Sequence, residues 1–304
     1  MIEKTESITA KICAFARAWH SNKAKDKIFD DYLAYDLIGK EEYEEIYELL
    51  KKEFSKDINA PIKYISSEIE KIMNELILPI PLSRIHFTES RLQDFITENK
   101  KVQYVICGAG ADTFSFRNTN PDVEIYEIDH PDTQKYKLEK IKSLEWNIPK
   151  NVHFVSVDFE KEKMQEKLLS AGFDTKMKSF FSILGVSYYL TLPVFSDTLL
   201  AVSELSSYES AVAFDYPTKL KETHEFKRVK RLESMTEKLG EKMQVGFTYN
   251  ELSRALFQYG FQIDTFLNPI KIQELYFKNH KDGLVAYENV NLVSAIYTGG
   301  RTFE

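Results

Sequence analysis

The stretch VQYVICGAGADTFSFR, Val102 to Arg117, followed by VEIYEIDHP from Val123, decides how this chain folds. The unbroken apolar run at 102–107 predicts a strand buried on both faces of a parallel sheet. It stops at Gly108-Ala109-Gly110, where two glycines allow a sharp turn and a close approach of backbone to ligand. A second strand-like run closes on Glu127 and Asp129, the latter twenty-one residues after Gly108. Nucleotide-binding α/β folds place at about that distance the acid that accepts hydrogen bonds from ribose hydroxyls. Alone, the two glycines would indicate only a strand-to-helix turn. With the acidic strand end, they predict a site for a nucleoside-containing cofactor.

Two features bear on which cofactor. A dinucleotide fingerprint needs a third glycine three places after the second, and Thr113 stands there. Asp112 would also put a negative charge where a pyrophosphate needs a bare helix N-terminus. Both count against NAD, which remains the alternative. They favour S-adenosylmethionine, which has no phosphate and carries a positive sulfonium.

Composition narrows the class of protein. The chain has 304 residues, enough for one large domain or a domain with a cap. Its net charge of −7 offers no general attraction to nucleic acid or to anionic membranes. Only two cysteines occur, Cys13 and Cys107, without metal-like spacing, so neither a metal site nor a structural disulfide is expected. The first residues lack a signal-type apolar stretch, and no apolar run approaches membrane-spanning length. Together these features predict a cytoplasmic protein.

Residues 1–100 read as a helical cap. Ile8, Ile12, Phe15, Ala16 and Trp19 share one helical face. Glu41 to Phe54 forms a charged amphipathic helix. Pro61 is placed to open another helix through Ile69 and Leu76, with Pro79 and Pro81 ending it before a last helix from Ser83. From residue 101 to 304 strands alternate with amphipathic helices, with strands expected at 102–107, 123–129, 152–158, 179–185, 210–216, 261–267 and 291–297. That rhythm predicts a parallel sheet with helices on both faces. The last two strands suggest a terminal hairpin with the final strand antiparallel. A helical insert, 218–245, follows the fifth strand.

Several segments resemble the leucine carboxyl methyltransferase superfamily, most closely its bacterial O-methyltransferase branch, sometimes linked to polyketide metabolism. They are RIHFTESRLQDF from Arg84, the glycine stretch, IYEIDHPDTQKYK from Ile125, VSVDFEKE from Val155, LGVSYYLT from Leu184, FDYP from Phe214 and GFTYNELSRALFQYGF from Gly246. The resemblance implies a Rossmann-like, seven-stranded class I methyltransferase sheet and S-adenosylmethionine as cofactor. It implies that Arg84 pairs with the cofactor's carboxylate, a task suited to a guanidinium fork. Gly108, Ala109 and Gly110 would approach the methionine part, and Asp129 would hold the ribose, with Glu127 a substitute. Asp158 with Phe159 would clamp the adenine, unless Asp158 only caps the next helix. Tyr188 or Tyr189 would line the acceptor side. Leu184 departs from the acid found in part of the superfamily, so no role is carried over to it.

Methyl transfer from a sulfonium depends mainly on alignment. A carboxylate acceptor needs no base, whereas a hydroxyl benefits from one. Among His20, His86 and His130 none is assigned that role. The insert's Lys219, Lys221, Lys227, Arg228, Lys230 and Arg231 form either a solvated face or a basic lid that draws in an acidic substrate. The leading expectation is an O-methyltransferase acting on a small-molecule carboxylate or hydroxyl, without nucleic-acid or membrane partners. Methylation of a protein C-terminal carboxylate and a non-catalytic cofactor sensor are the alternatives. The acceptor's identity and the oligomeric state are not legible.

Overall fold

The strand pattern from residue 102 onward is realised as one seven-stranded sheet. The computed structural model describes residues 8–55, 65–159, 161–219 and 226–299. Helices come first: α1 (Ile8–Lys23), α2 (Ala34–Ile38), α3 (Lys40–Ser55), α4 (Ile65–Ile72), a π-helical turn (Met73–Ile77) and α5 (Pro79–Glu98). Next come β1 (Val102–Cys107), α6 (Phe114–Arg117), β2 (Val123–Asp129), α7 (Pro131–Ser143), β3 (Val152–Ser156), α8 (Met164–Ser170), β4 (Ser179–Ile183) and α9 (Leu192–Leu205). The chain continues through β5 (Ala211–Pro217), α10 (Lys227–Lys238), α11 (Tyr249–Gln258), β6 (Phe261–Leu267), α12 (Pro269–Ile272) and β7 (Val290–Tyr297).

The strand order is β3-β2-β1-β4-β5-β7-β6. The first five strands are mutually parallel, and β7 runs antiparallel to both of its neighbours. The expected mixed sheet with an antiparallel last strand is therefore present. Because β2 and β3 lie to one side of β1 and β4 to the other, the winding reverses between β1 and β4. At such a reversal the loops leaving the two strands diverge, and a crevice opens beyond their carboxyl ends.

Strand alternation divides the core into two layers. On β1, Val102, Tyr104 and Ile106 face the cluster shared with the cap, whereas Val105 and Cys107 face the layer containing α8, α9 and α11. Cap and sheet meet through aromatic edges, Phe95 of α5 against Phe180 of β4 at 5.6 Å between ring centres. Phe15, Phe54, Ile69 and Met73 are fully buried, so the cap has its own well-packed interior continuous with the sheet's.

Two local expectations change. Pro79 and Pro81 do not end a helix; they occupy the first turn of α5, where a missing N–H leaves no bond unmade. The preceding helix relaxes into the π turn instead, and Leu78 N donates to the Met73 carbonyl across 3.1 Å. The placement of Pro61 lies outside the described residues. Among the described residues, no helix is long and apolar enough to cross a membrane.

His20, read as a helix-end residue, is buried, and its Nε2 accepts the Ile28 amide at 2.9 Å to shape the turn after α1. Burial lowers its pKa to about 4. The neutral ring is therefore the stabilising form, its contribution complete above about pH 6.5 and lost as pH falls towards 4. His20→Asn should flatten the pH dependence of the urea midpoint across that window, by up to about 3 kcal/mol. Parallel profiles for variant and parent would refute this.

Candidate active site

The turn after β1 is built on buried charge. Gly108 has φ of +74°, a conformation costly for any residue with a side chain. Two cations then hold the backbone that follows. Arg17 of α1 donates to the Ala111 carbonyl at 2.6 Å, and Lys137 of α7 donates to the Asp112 carbonyl at 2.6 Å. Each cation has a buried acidic partner: Asp31 at 2.8 Å from Arg17 Nε, and Glu127 at 2.5 Å from Lys137 Nζ. Glu127 also accepts from Ser115 Oγ at 2.5 Å, and burial pushes its carboxyl above the usual range against the pull of Lys137. Glu127 is thus committed beneath the loop. Asp31 accepts as well from Thr113 Oγ1, and Arg117 forks onto Glu89 at 2.5 and 2.9 Å.

Asp129 stands at the end of β2 and lines the cavity. Its carboxylate accepts from the Gly110 amide at 2.5 Å and the His130 amide at 2.7 Å. Burial raises its pKa, and these two amides pull the other way.

On the far side of the crevice a second network centres on Asp215 of β5, which has no exposure at all. Asp215 accepts from Gly185 N at 2.7 Å, from the Tyr188 hydroxyl at 2.9 Å and from Arg84 Nη1 at 3.3 Å. Ser187 Oγ binds its backbone carbonyl at 2.6 Å. Arg84 lies flat on Gly185, where an added Cβ would fall 2.6 Å from Nη1, and its Nη2 meets Cys13 Sγ at 3.3 Å. Arg17, Asp31 and Asp215 were not singled out from sequence. The available signal was an ionisable residue inside an otherwise apolar stretch, CAFARAW for Arg17 and AVAFDYP for Asp215, which calls for a buried partner.

Between these networks, at the β1–β4 reversal, lies a cavity of about 340 Å³. Arg84, Gly108, Ala109, Gly110, Asp129, Tyr188 and Tyr189 all line it. Asp158 and Phe159 do not. Asp158 binds Lys161 Nζ at 2.6 Å, its carbonyl accepts the Lys161 and Glu162 amides, and Phe159 is exposed. The three histidines considered from sequence also have structural partners. His86 Nδ1 lies 2.5 Å from the Ile28 carbonyl, and His130 caps α7 by accepting from Asp132 N.

The insert does not present its basic cluster to the cavity. Arg228 lies over the Tyr287 ring and donates to the Val285 and Ala286 carbonyls, and Arg231 lies over Phe54. Lys219, Lys227 and Lys230 face solvent, while Lys221 lies outside the described residues. The insert instead turns Leu232, Met235 and Met243 towards the cavity. A helix can show the cavity only one face, and here that face is uncharged, Leu232 and Met235 with Thr236, so among the described residues no member of the basic cluster reaches the cavity to attract an acidic substrate.

An open, mostly parallel sheet with a lined crevice at its winding reversal defines an α/β protein that binds a cofactor beyond its strand ends. Residues 10–202 match the family described as leucine carboxyl methyltransferase. The chain is also 36% identical to the Bacillus subtilis protein YktD, provisionally named an S-adenosyl-L-methionine-dependent methyltransferase, over 97% of this chain and 99% of that protein. The chain belongs to the leucine carboxyl methyltransferase family. Among solved structures, a DUF574 family protein from Streptomyces avermitilis has the same fold (TM-score 0.57, 10% identity, 97% of this chain and 99% of that one). So does a provisionally named methyltransferase from Thermobifida fusca (TM-score 0.53, 14% identity, 84% and 94% covered).

Lys137→Met should destabilise the protein by about 3–5 kcal/mol, because it strands Glu127 as a buried unpaired charge. Adding Glu127→Leu should recover most of that loss in urea unfolding, and no recovery would mean that the pair is not the source. Gly185→Ala meets both a positive φ of +72° and the Arg84 guanidinium. It should lower stability by roughly 2 kcal/mol or more, and a thermal midpoint equal to the parent's would contradict that.

Proposed function

We propose that this chain, an S-adenosyl-L-methionine-dependent methyltransferase, transfers the methyl group to an oxygen of a small-molecule acceptor, a carboxylate or a hydroxyl. One observation carries the reading: a single crevice at the β1–β4 reversal gathers the Gly108–Gly110 turn, Asp129 and Arg84. These are the partners an amino acid joined to a nucleoside needs. The turn offers close backbone, Asp129 a carboxylate for ribose hydroxyls, and Arg84 a guanidinium for the amino-acid carboxylate. Asp158 with Phe159, just past β3, stays outside the cavity lining and would serve the adenine only if that moiety extends beyond it, and Tyr188 and Tyr189 are assigned to the acceptor side. When bound, the cofactor supplies an electrophilic methyl group.

The residues of the chain then contribute mainly confinement and orientation. The Tyr188 hydroxyl is already donated to Asp215, and burial followed by that neighbouring charge pushes its pKa well above the usual value, so it is no base. Among the described residues no histidine lines the cavity. Thr9 and Cys13 of α1 and Leu232 and Met235 of the insert cover the cavity, which supports a small acceptor over a protein tail needing an open groove. A cytoplasmic setting belongs to the same reading, with Cys13 and Cys107 both as free thiols.

Calorimetric titration tests this reading. S-Adenosylmethionine should bind and NAD should not, and Asp129→Ala should weaken S-adenosylmethionine roughly 10- to 100-fold through loss of charged hydrogen bonds. A folded protein that evolves no heat with S-adenosylmethionine would sink the proposal. Binding without turnover across a broad acceptor panel would point to a sensor instead.

A further inference from the structure

A second cavity, of about 260 Å³, adjoins the first, and Ile80, Tyr188, Leu232 and Met243 line both. Its remaining walls come from the insert, from Pro217 and Thr218 at the end of β5, and from Asn289 just before β7. Asn289 is only 8% exposed. Its backbone carbonyl is used twice, accepting from Thr218 N at 2.6 Å and from Asn291 Nδ2 at 3.3 Å. Its side-chain amide makes no hydrogen bond to any described residue. The amide reaches the cavity rather than being sealed in the core, so its donors and acceptor are left to pair with whatever the cavity holds. Here is a polar anchor in a chamber with an apolar side, Ile80, Val229, Leu232, Met243 and Val290, and a polar side from the insert that includes Gln244.

The charge around the chamber is equally informative. The insert contributes Glu233, Glu237 and Lys242 to the lining, and Lys242 Nζ lies 3.4 Å from Glu237. Among the described lining residues the balance is one negative charge, with the single lysine already engaged. The two cations that line the adjoining cavity are both held, Arg17 by Asp31 and Arg84 by Asp215. An anionic acceptor entering here would be desolvated without gaining an unengaged cation. A neutral hydroxyl, by contrast, can both donate to and accept from the Asn289 amide.

We propose that this second cavity is the acceptor chamber and that it takes a neutral, apolar-bodied alcohol or phenol rather than a carboxylate, with Asn289 as its hydrogen-bonding anchor. The proposal rests on the methyltransferase reading and narrows its acceptor. It makes Asn289 a specificity residue for the acceptor and leaves cofactor binding to the first cavity.

The experiment uses the full chain. S-Adenosylhomocysteine is titrated first, and the saturated protein is then titrated with 2-naphthol or 2-naphthoate at pH 7 and low salt, with calorimetric or saturation-transfer detection. 2-Naphthol should bind at least about tenfold more tightly than 2-naphthoate. Asn289→Leu should cost about tenfold in 2-naphthol affinity, the worth of one or two buried hydrogen bonds, and leave the S-adenosylhomocysteine heat unchanged. Glu233→Gln with Glu237→Gln, at exposed positions where folding is not at stake, should improve 2-naphthoate binding several-fold. The proposal is overturned if 2-naphthoate binds as well as 2-naphthol, if neither probe binds to protein saturated with S-adenosylhomocysteine, or if Asn289→Leu changes 2-naphthol affinity by less than twofold. An unchanged 2-naphthoate affinity in the double glutamine variant would remove the charge argument and overturn the class of acceptor. Failure of S-adenosylhomocysteine itself to bind would instead strike the methyltransferase reading.

Discussion

Two buried cations seizing two consecutive carbonyls hold the structure's functional end together. Arg17 binds the Ala111 carbonyl and Lys137 the Asp112 carbonyl, one from the cap and one from the helix after β2. A turn with positive φ is not stable by itself, and its exposed carbonyls would otherwise need water in a space meant for ligand. Tying them down with side chains spares them that water, and one of the two fasteners, Arg17, also lines the cavity. Burying each cation requires an acid, which accounts for Asp31 and Glu127 being fully enclosed. The N-terminal helices therefore help to hold the wall of the cavity: without α1 the loop would lose one of its two fasteners.

The opposite wall follows the same logic with the signs arranged differently. There one enclosed carboxylate, Asp215, gathers a guanidinium from α5 and a phenol and a backbone amide from the β4–α9 connection. Each donor is oriented by a partner that does not itself face the cavity. A cavity framed in this way on both sides is preorganised, and preorganisation is what a reaction limited by alignment requires.

Much of the architecture was legible because it depends on local periodicity. The seven strands fall where apolar alternation placed them, with end shifts of one or two residues, and the Gly108–Asp129 spacing marked the crevice. The insert shows where such reading stops. Its basic residues were countable, but which face of α10 meets the cavity depends on what Arg228 and Arg231 find to pack on, Tyr287 and Phe54. Neither aromatic is close to them in sequence. Likewise Glu127 and Asp129 were near-equivalent as strand-end acids. Alternation along β2 sends neighbours-but-one to the same side, yet Lys137 and Ser115 claim the first and leave the second at the rim.

Residue order alone settled the sheet, its antiparallel final strand and the position of the nucleotide-type turn, since these follow from patterns repeated every two to four residues along the chain. Folding in three dimensions settled which ionisable groups are spent on one another and which are left facing the cavities. That division turns on pairings such as Arg17 with Asp31, Arg84 with Asp215 and Lys137 with Glu127. Buried charges must find partners wherever the chain brings them, and for Arg84 and Asp215 that search spans 131 positions.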